Sequence, residues 1–309
     1  MEDFDPDSEA EQLLNAIKPK TDEDKIISLV TSRTNEERLK IKDIYNAKYN
    51  SDLIKDLKKA LHFNFENVII GLFYSPIDYD CFQLRKALKG ITTDDDALIE
   101  ILCTRQQNTI EEINKRYSEM YPDRTLIKDI EGKTSGDFKK ILTALLLSKR
   151  PRENKSINST ECEECAKQLD EAFNKKSAVD EEIFLKFFTE KAQNEFIYIS
   201  QLYHKLTKKT LLETVEKKFS RNLKKCLVAI IYSMLNLPEY FSKCIYNSIK
   251  GPGTDDSTLI RIIISRKEID LPLIKQFYKQ NYKVDMIQDI KGDTSGNYRK
   301  LLVELTSSY

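Results

Sequence analysis

The chain has 309 residues, enough for two ordinary domains or for one array of smaller repeated units. Lys plus Arg is 50 and Asp plus Glu is 50, so the net charge is zero, which argues against a general nucleic-acid binder. Eight glycines and eight prolines are too few for an all-β chain full of tight turns or a glycine-lined α/β enzyme, and the abundance of Lys, Glu, Leu and Ile favours helix.

In chain order, residues 1–12 come first. They are acidic, carry no apolar stretch and read as a tail rather than a secretory signal, which points to the cytoplasm. An apolar helix is expected over Lys25–Arg33, and Phe65, Val68, Ile69 and Leu72 mark one face of another. Lys89-Gly-Ile-Thr-Thr-Asp-Asp-Asp is a loop, followed by a helix over Ala97–Arg105. Gly132-Lys-Thr-Ser-Gly136 is a second loop, followed by Phe138, Ile141, Leu142 and Leu145. The polar stretch from Lys149 to Thr160 reads as a linker. Cys162-Glu-Glu-Cys165 is the one closely spaced cysteine pair of six cysteines; with two histidines (His62, His204) it makes a poor zinc site, and reduced thiols are expected. A helix over Ile183–Lys191 and the face Leu223, Cys226, Leu227, Ile230 come next. The apolar run Cys226–Leu237 is broken by Tyr232, Ser233 and Asn236, too short to span a bilayer. Lys250-Gly-Pro-Gly-Thr-Asp, a helix over Thr258–Arg266, Gly292-Asp-Thr-Ser-Gly296 and the face Tyr298, Leu301, Leu302, Leu305 complete the chain.

These features are one pattern written four times. Each closing face has the i, i+3, i+4, i+7 spacing of an amphipathic helix. The basic residues at the ends of the leading helices fall at 33, 105, 191 and 266; the spacings are 72, 86 and 75, and with the linker lengthening the second they give repeats of roughly 70–75 residues. The expected fold is all-α. The boundaries drawn from the pattern are a tail 1–12, repeats at 13–78 and 79–148, a linker 149–163, and repeats at 164–237 and 238–309.

The fourth repeat carries the most specific chemistry. Gly251 and Gly253 allow a loop to turn several carbonyl oxygens towards one point, and calcium takes 6–8 oxygen ligands. Asp293, in the second glycine loop, completes such a shell if the two loops adjoin. A plain Gly-Pro-Gly turn, with Asp293 at a helix start, is the other reading of the same residues. Neither an EF-hand nor a phosphate-binding P-loop spacing occurs.

Four repeats, K-G-x-G-T-D loops and an acidic residue before T-S-G together resemble the annexin family over essentially the whole chain after residue 12. The resemblance implies four repeats of about five helices each, forming a curved disc, and calcium-dependent binding to anionic phospholipid membranes on the cytosolic face. It implies Ca2+ ligands at the carbonyls of Ile249, Gly251 and Gly253 and the carboxylate of Asp293, with Thr254 and Asp256 as a weaker neighbouring site. It also implies that Arg105, Arg266, Asp80 and Glu100 join polar networks, and that the tail can meet a protein partner. Nucleic acid and catalysis are not expected.

The other three repeats depart from the pattern. Lys18 and Lys20 stand at both glycine positions of the first, with Ala60 in place of the acid. Thr92 and Lys133 replace glycine and acid in the second, where Asp94-Asp95-Asp96 is a further run of carboxylates. Lys176, Ala178 and Lys218 do so in the third. One expectation is that Lys18, Lys20, Lys133, Lys176 and Lys218 act as fixed cations against lipid phosphate. The alternative function is a structural or scaffolding protein that binds cytoskeleton or protein partners, largely without calcium.

Overall fold

The computed structural model describes residues 4–151, 153–174, 181–251 and 253–307, without the side chains of residues 181 and 182. Among the described residues the regular structure is entirely helical. The first repeat contributes α1 (Pro6–Ile17), α2 (Glu23–Thr31), α3 (Asn35–Tyr49), α4 (Leu53–Ala60) and α5 (Phe63–Leu72). The second contributes α6 (Pro76–Leu88), α7 (Asp95–Thr104), α8 (Gln107–Met120), α9 (Leu126–Lys133) and α10 (Gly136–Leu147). The third contributes α11 (Ser159–Asn174), α12 (Glu181–Glu190), α13 (Gln193–Thr207), α14 (Leu211–Lys218) and α15 (Arg221–Leu235). The fourth contributes α16 (Leu237–Ile249), α17 (Asp256–Arg266), α18 (Leu271–Tyr282), α19 (Met286–Asp293) and α20 (Gly296–Ser307). None is long and apolar enough to cross a membrane.

Capping chemistry sets the helix starts. Asp22, Asp94 and Asp255 each accept a hydrogen bond from the backbone N–H three residues on, at 3.0, 3.0 and 3.1 Å, so the T-D of every described loop opens the second helix of its repeat. Thr34 with Glu37 and Thr210 with Glu213 form reciprocal capping boxes. Asp5 caps α1, which begins inside the stretch read as a tail and buries Glu9 and Ala10.

The chain divides into two compact bodies. One comprises Met1–Tyr79 and Phe241–Tyr309, the first and fourth repeats; the other comprises Asp80–Tyr240. In the first body α5 packs on α17 and α20, and α2 on α20. In the second, α15 packs on α7 and α10. The closing helices supply the core: Val68, Ile69, Ile141, Leu142, Cys226, Leu227, Ile230, Leu301, Leu302 and Leu305 are fully buried. Full burial of each such aliphatic side chain stabilises by about 1.5–3 kcal/mol. Gly71, the one glycine outside the loops, lies where α5 meets α17. A Cβ there would stand 2.5 Å from Ile264 Cδ1 and 2.9 Å from Tyr79 Cε2.

A tyrosine on the third helix of every repeat is buried and bonded to the fourth helix. Tyr45 donates to Asp56 at 3.0 Å, Tyr117 to Asp129 at 2.7 Å and Tyr278 to Asp289 at 2.6 Å; Tyr203 meets Thr214 at 3.1 Å. Arginines at the ends of the second helices are paired too. Arg33 contacts Glu9, Arg105 grips Asp80 through two bonds of 2.7 and 2.8 Å, and Arg266 grips Asp270 through bonds of 2.8 and 2.6 Å. The expected polar networks exist for Arg105 and Asp80 as a forked ion pair, and Arg266 finds Asp270 as its carboxylate. Within the linker, Arg150 donates to the carbonyls of Phe188 and Thr189, and burial pulls its pKa down to about 10. None of the six cysteines is in a disulfide, and five are buried.

Candidate calcium site and its counterparts

In the fourth repeat α16 ends at Ile249 and α17 starts at Asp256, so six residues must reverse the chain. The Asp255 N–H reaches back to the Ser248 carbonyl at 2.8 Å and its carboxylate caps α17 at Thr258 N–H, which pins both ends of the loop. Gly253 takes a φ of +91°, a conformation that a side chain resists. A Cβ at Gly251 or Gly253 would meet nothing within 4 Å, so the loop is open on that side. Pro252 lies outside the described residues.

Asp293 is the last residue of α19, and α20 starts three residues later at Gly296. The helix-start alternative for Asp293 is thereby corrected: the carboxylate sits at a helix C-terminus, where the dipole disfavours negative charge. A carboxylate there is favoured by a nearby cation. The loops do adjoin, because the Thr254 hydroxyl donates to Asp293 Oδ2 at 2.5 Å and to the Asp293 carbonyl at 3.2 Å. Thr254 thus turns to Asp293, whereas Asp256 accepts from Tyr298 OH at 2.8 Å. Burial first, and then this bond, push the Tyr298 phenol above its ordinary range. Lys250 bridges to Asp289 at 3.1 Å, tying the loop to the buried Tyr278–Asp289 pair below. No group of three or more His, Cys, Asp or Glu side chains gathers as a metal cluster among the described residues. The donor set on offer here is one carboxylate with backbone carbonyls, which suits a hard, oxygen-seeking cation.

The second repeat builds the same scaffold with the opposite charge. Thr93 donates to the Lys133 carbonyl at 3.4 Å, the counterpart of Thr254 on Asp293. Asp94 N–H bonds the Ala87 carbonyl at 3.1 Å, as Asp255 does Ser248. Lys133 ends α9, and its ammonium donates to the Gly90 carbonyl at 2.6 Å. Gly90 is the counterpart of Gly251, so a tethered cation sits on the oxygen that a calcium ligand would offer. The three carboxylates of Asp94, Asp95 and Asp96 separate: the first caps α7, the second accepts from Asn222 at 2.6 Å and the third pairs with Lys225 at 2.6 Å.

The third repeat also ends its fourth helix in a bonded lysine. Lys218, ending α14, donates to the Phe173 carbonyl and to Asn174 Oδ1 at 3.1 Å. Lys176 and Ala178 lie outside the described residues. In the first repeat the cation comes from the other loop: Lys18 bridges to Asp56 at 3.1 Å, beside Ser51 and Tyr45, which also donate to that carboxylate. Burial raises the Asp56 pKa, but these three bonds outweigh it and the net direction is down. Lys20 is exposed, and Ala60 ends α4.

Two features escaped the sequence reading. One is Asp255 and its counterparts as helix caps, for which the T-D before each apolar helix was a sufficient signal. The other is the residue that opens each closing helix. Phe63, Gly136, Arg221 and Gly296 have φ values of 56, 57, 54 and 59°. Setting the four closing faces side by side puts these positions in one column, two residues before Phe65, Phe138, Leu223 and Tyr298.

Known proteins share the whole arrangement. The annexin family model matches residues 8–72, 79–145 and 240–305. Human annexin A7 is 40% identical over 303 residues, 98% of this chain, and the chain spans 62% of the length of that relative. The solved structure titled annexin III superposes with a TM-score of 0.95 at 33% identity, covering 100% of this chain and 95% of that one. The calcium-bound structure of annexin (Sm)1 superposes with a TM-score of 0.85 at 29% identity, covering 99% of this chain and 91% of that one. With the four-fold helical repeat and its loop pairs, these matches establish that the chain belongs to the annexin family.

Proposed function

We propose that this protein binds anionic phospholipid membranes in a calcium-dependent manner through the fourth repeat. The carrying observation is the closure of its two loops: Thr254 holds Asp293 at 2.5 Å, beside a glycine loop that is open to solvent. The second repeat supports the geometry independently, because the residue at the Asp293 position there reaches the glycine-loop carbonyl at 2.6 Å. Residues that would hold the ion are Ile249, Gly251 and Gly253 through their carbonyls and Asp293 through its carboxylate. When bound, calcium supplies a hard positive centre whose remaining positions accept lipid phosphate oxygens. Asp293 supplies the negative charge, Thr254 orients it, and Asp255 and Lys250 hold the loop to α17 and Asp289. The Thr254 and Asp256 pair is less suited to a second ion, since each already bonds elsewhere. This is a binding role, exercised peripherally from the cytosolic side.

The lysines of the other repeats take a share of the work in this reading. Lys133 ties its glycine loop at the Gly90 carbonyl and Lys218 bonds the end of α11, and with Lys18 and Lys20 they present exposed positive charge. Each cation near an anionic surface contributes about 1 kcal/mol, less at high salt. Exposed Asp7, Ser8 and Glu11 are what α1 leaves for a partner at the N-terminus.

Co-sedimentation with phosphatidylserine vesicles, in calcium or chelator, tests the reading. Calcium-driven pelleting of the wild type that Asp293→Ala abolishes is the expected result. Equal pelleting of both in chelator overturns the calcium switch. Failure of both to pellet in any condition overturns membrane binding and leaves the scaffolding alternative.

A further inference from the structure

The start of α5 is costly twice over. Its first residue adopts a left-handed φ of 56°, as do the first residues of the other closing helices, but the second and fourth repeats fill that position with glycine. Glycine takes the conformation freely, whereas a side chain with a Cβ resists it. The first repeat uses Phe63. Burial does not compensate, because Phe63 is 89% exposed. Its ring has an edge-on neighbour in His62, itself exposed, at 6.3 Å between centroids. A strained and solvated aromatic residue marks a site of interaction more than a packing element.

The surroundings of Phe63 are basic. It follows α4, whose last turn carries exposed Lys58 and Lys59. Lys18 bridges to Asp56 of α4 at 3.1 Å, which brings the loop bearing exposed Lys18 and Lys20 against the same helix. Asp56 is buried and already satisfied by Lys18, Ser51 and Tyr45. The junction of α4 and α5 is also the counterpart of the junction of α19 and α20, which Asp293 adjoins. In the second repeat the glycine loop carries Ile91 at its tip, 102% exposed. Ile91, on the glycine loop of the second repeat, and Phe63, at the first residue of α5, are the most exposed large apolar side chains among the described residues.

We propose that Phe63 is an apolar anchor that enters the interfacial layer of an anionic bilayer, with Lys18, Lys20, Lys58 and Lys59 against lipid phosphates. An aromatic ring at headgroup depth flanked by cations is a favourable interfacial arrangement. It gives the first repeat a membrane contact that needs no calcium of its own. The inference rests on the membrane reading above and assigns it a second point of attachment.

The chain contains no tryptophan, so Phe63→Trp places a single tryptophan, excited to the red of the tyrosines, at the proposed contact. With phosphatidylserine vesicles and calcium, the expected result is co-sedimentation accompanied by a blue shift of the emission and quenching by brominated lipid. Co-sedimentation with unchanged, unquenched emission overturns the anchor while leaving the calcium site intact. Absence of co-sedimentation overturns both. A blue shift without vesicles, together with a doubled mass in sedimentation, overturns the anchor in favour of contact between two copies. Phe63→Gly separates binding from folding. It is expected to raise or preserve the melting temperature while weakening vesicle binding several-fold, and wild-type binding by this variant overturns the anchor.

Discussion

The glycine-loop pairs of the second and fourth repeats share a scaffold and differ at one decisive side chain. In both, a threonine hydroxyl reaches the carbonyl of the last residue of the fourth helix, and an aspartate caps the helix after the loop. That last residue is Lys133 in one and Asp293 in the other. Lysine at a helix C-terminus is favoured by the dipole and donates to the loop carbonyl at 2.6 Å, so the pair is complete by itself. Aspartate at the same place is disfavoured and leaves the loop carbonyls without a cation. On the function proposed above, the comparison separates two kinds of site on one backbone: one that would take an ion from solution, the other furnished with a tethered ammonium that no chelator removes.

The largest effect is expected from giving the fourth repeat the second repeat's residue. Asp293→Lys should abolish calcium-driven vesicle binding and leave the melting temperature unchanged by calcium, read by differential scanning in calcium and in chelator. A retained calcium shift in that variant breaks the comparison. The reverse exchange, Thr92→Gly with Lys133→Asp, should create a second calcium-responsive site. The calcium needed for half-maximal co-sedimentation should then fall roughly tenfold, since linked sites multiply avidity. Lys133→Ala should have a smaller effect, lowering stability by about 1 kcal/mol through the lost charge-assisted bond, measured by urea denaturation. That loss should be the same with and without calcium.

The smallest effect concerns the buried tyrosines beneath the two loop pairs. Burial first, then bonding to Asp129 and Asp289, push the phenols of Tyr117 and Tyr278 above their ordinary range, and Arg85 offsets part of this at Tyr117. Both phenols keep their protons in the folded state when the unfolded phenols ionise near pH 10. Stability is therefore intact below about pH 10 and falls as pH rises beyond it, by at most about 1.4 kcal/mol per pH unit for each group. Tyr278→Phe and Tyr117→Phe should each flatten that alkaline decline by a similar amount, followed by circular dichroism between pH 9 and 11.

The helices and their repetition were legible because periodicity and loop punctuation are local properties of a sequence. The closing faces Val68, Ile69, Leu301 and Leu302 turned out to be buried core for the same reason. The meeting of Thr254 with Asp293, residues far apart in the chain, was legible only as a condition on two loops adjoining. What Lys133 does was hidden, because a lysine in a glycine loop reads as surface charge until its distance to Gly90 is known. The fork between Arg266 and Asp270 and the left-handed turn at Phe63 were hidden likewise: one depends on side-chain reach, the other on a backbone angle that composition does not encode.

The division of the molecule has a consequence for its synthesis. The body containing Asp80–Tyr240 is continuous in the chain, but the other joins the first 79 residues to the segment Phe241–Tyr309. The apolar faces of α2 and α5 find their partners on α17 and α20, which the ribosome makes much later. At about 5–20 residues per second, those faces wait on the order of ten to fifty seconds in the cell with their partners unmade. The middle of the protein can therefore be finished while its beginning is still incomplete, and the first repeat is the part of the nascent chain most in need of a chaperone.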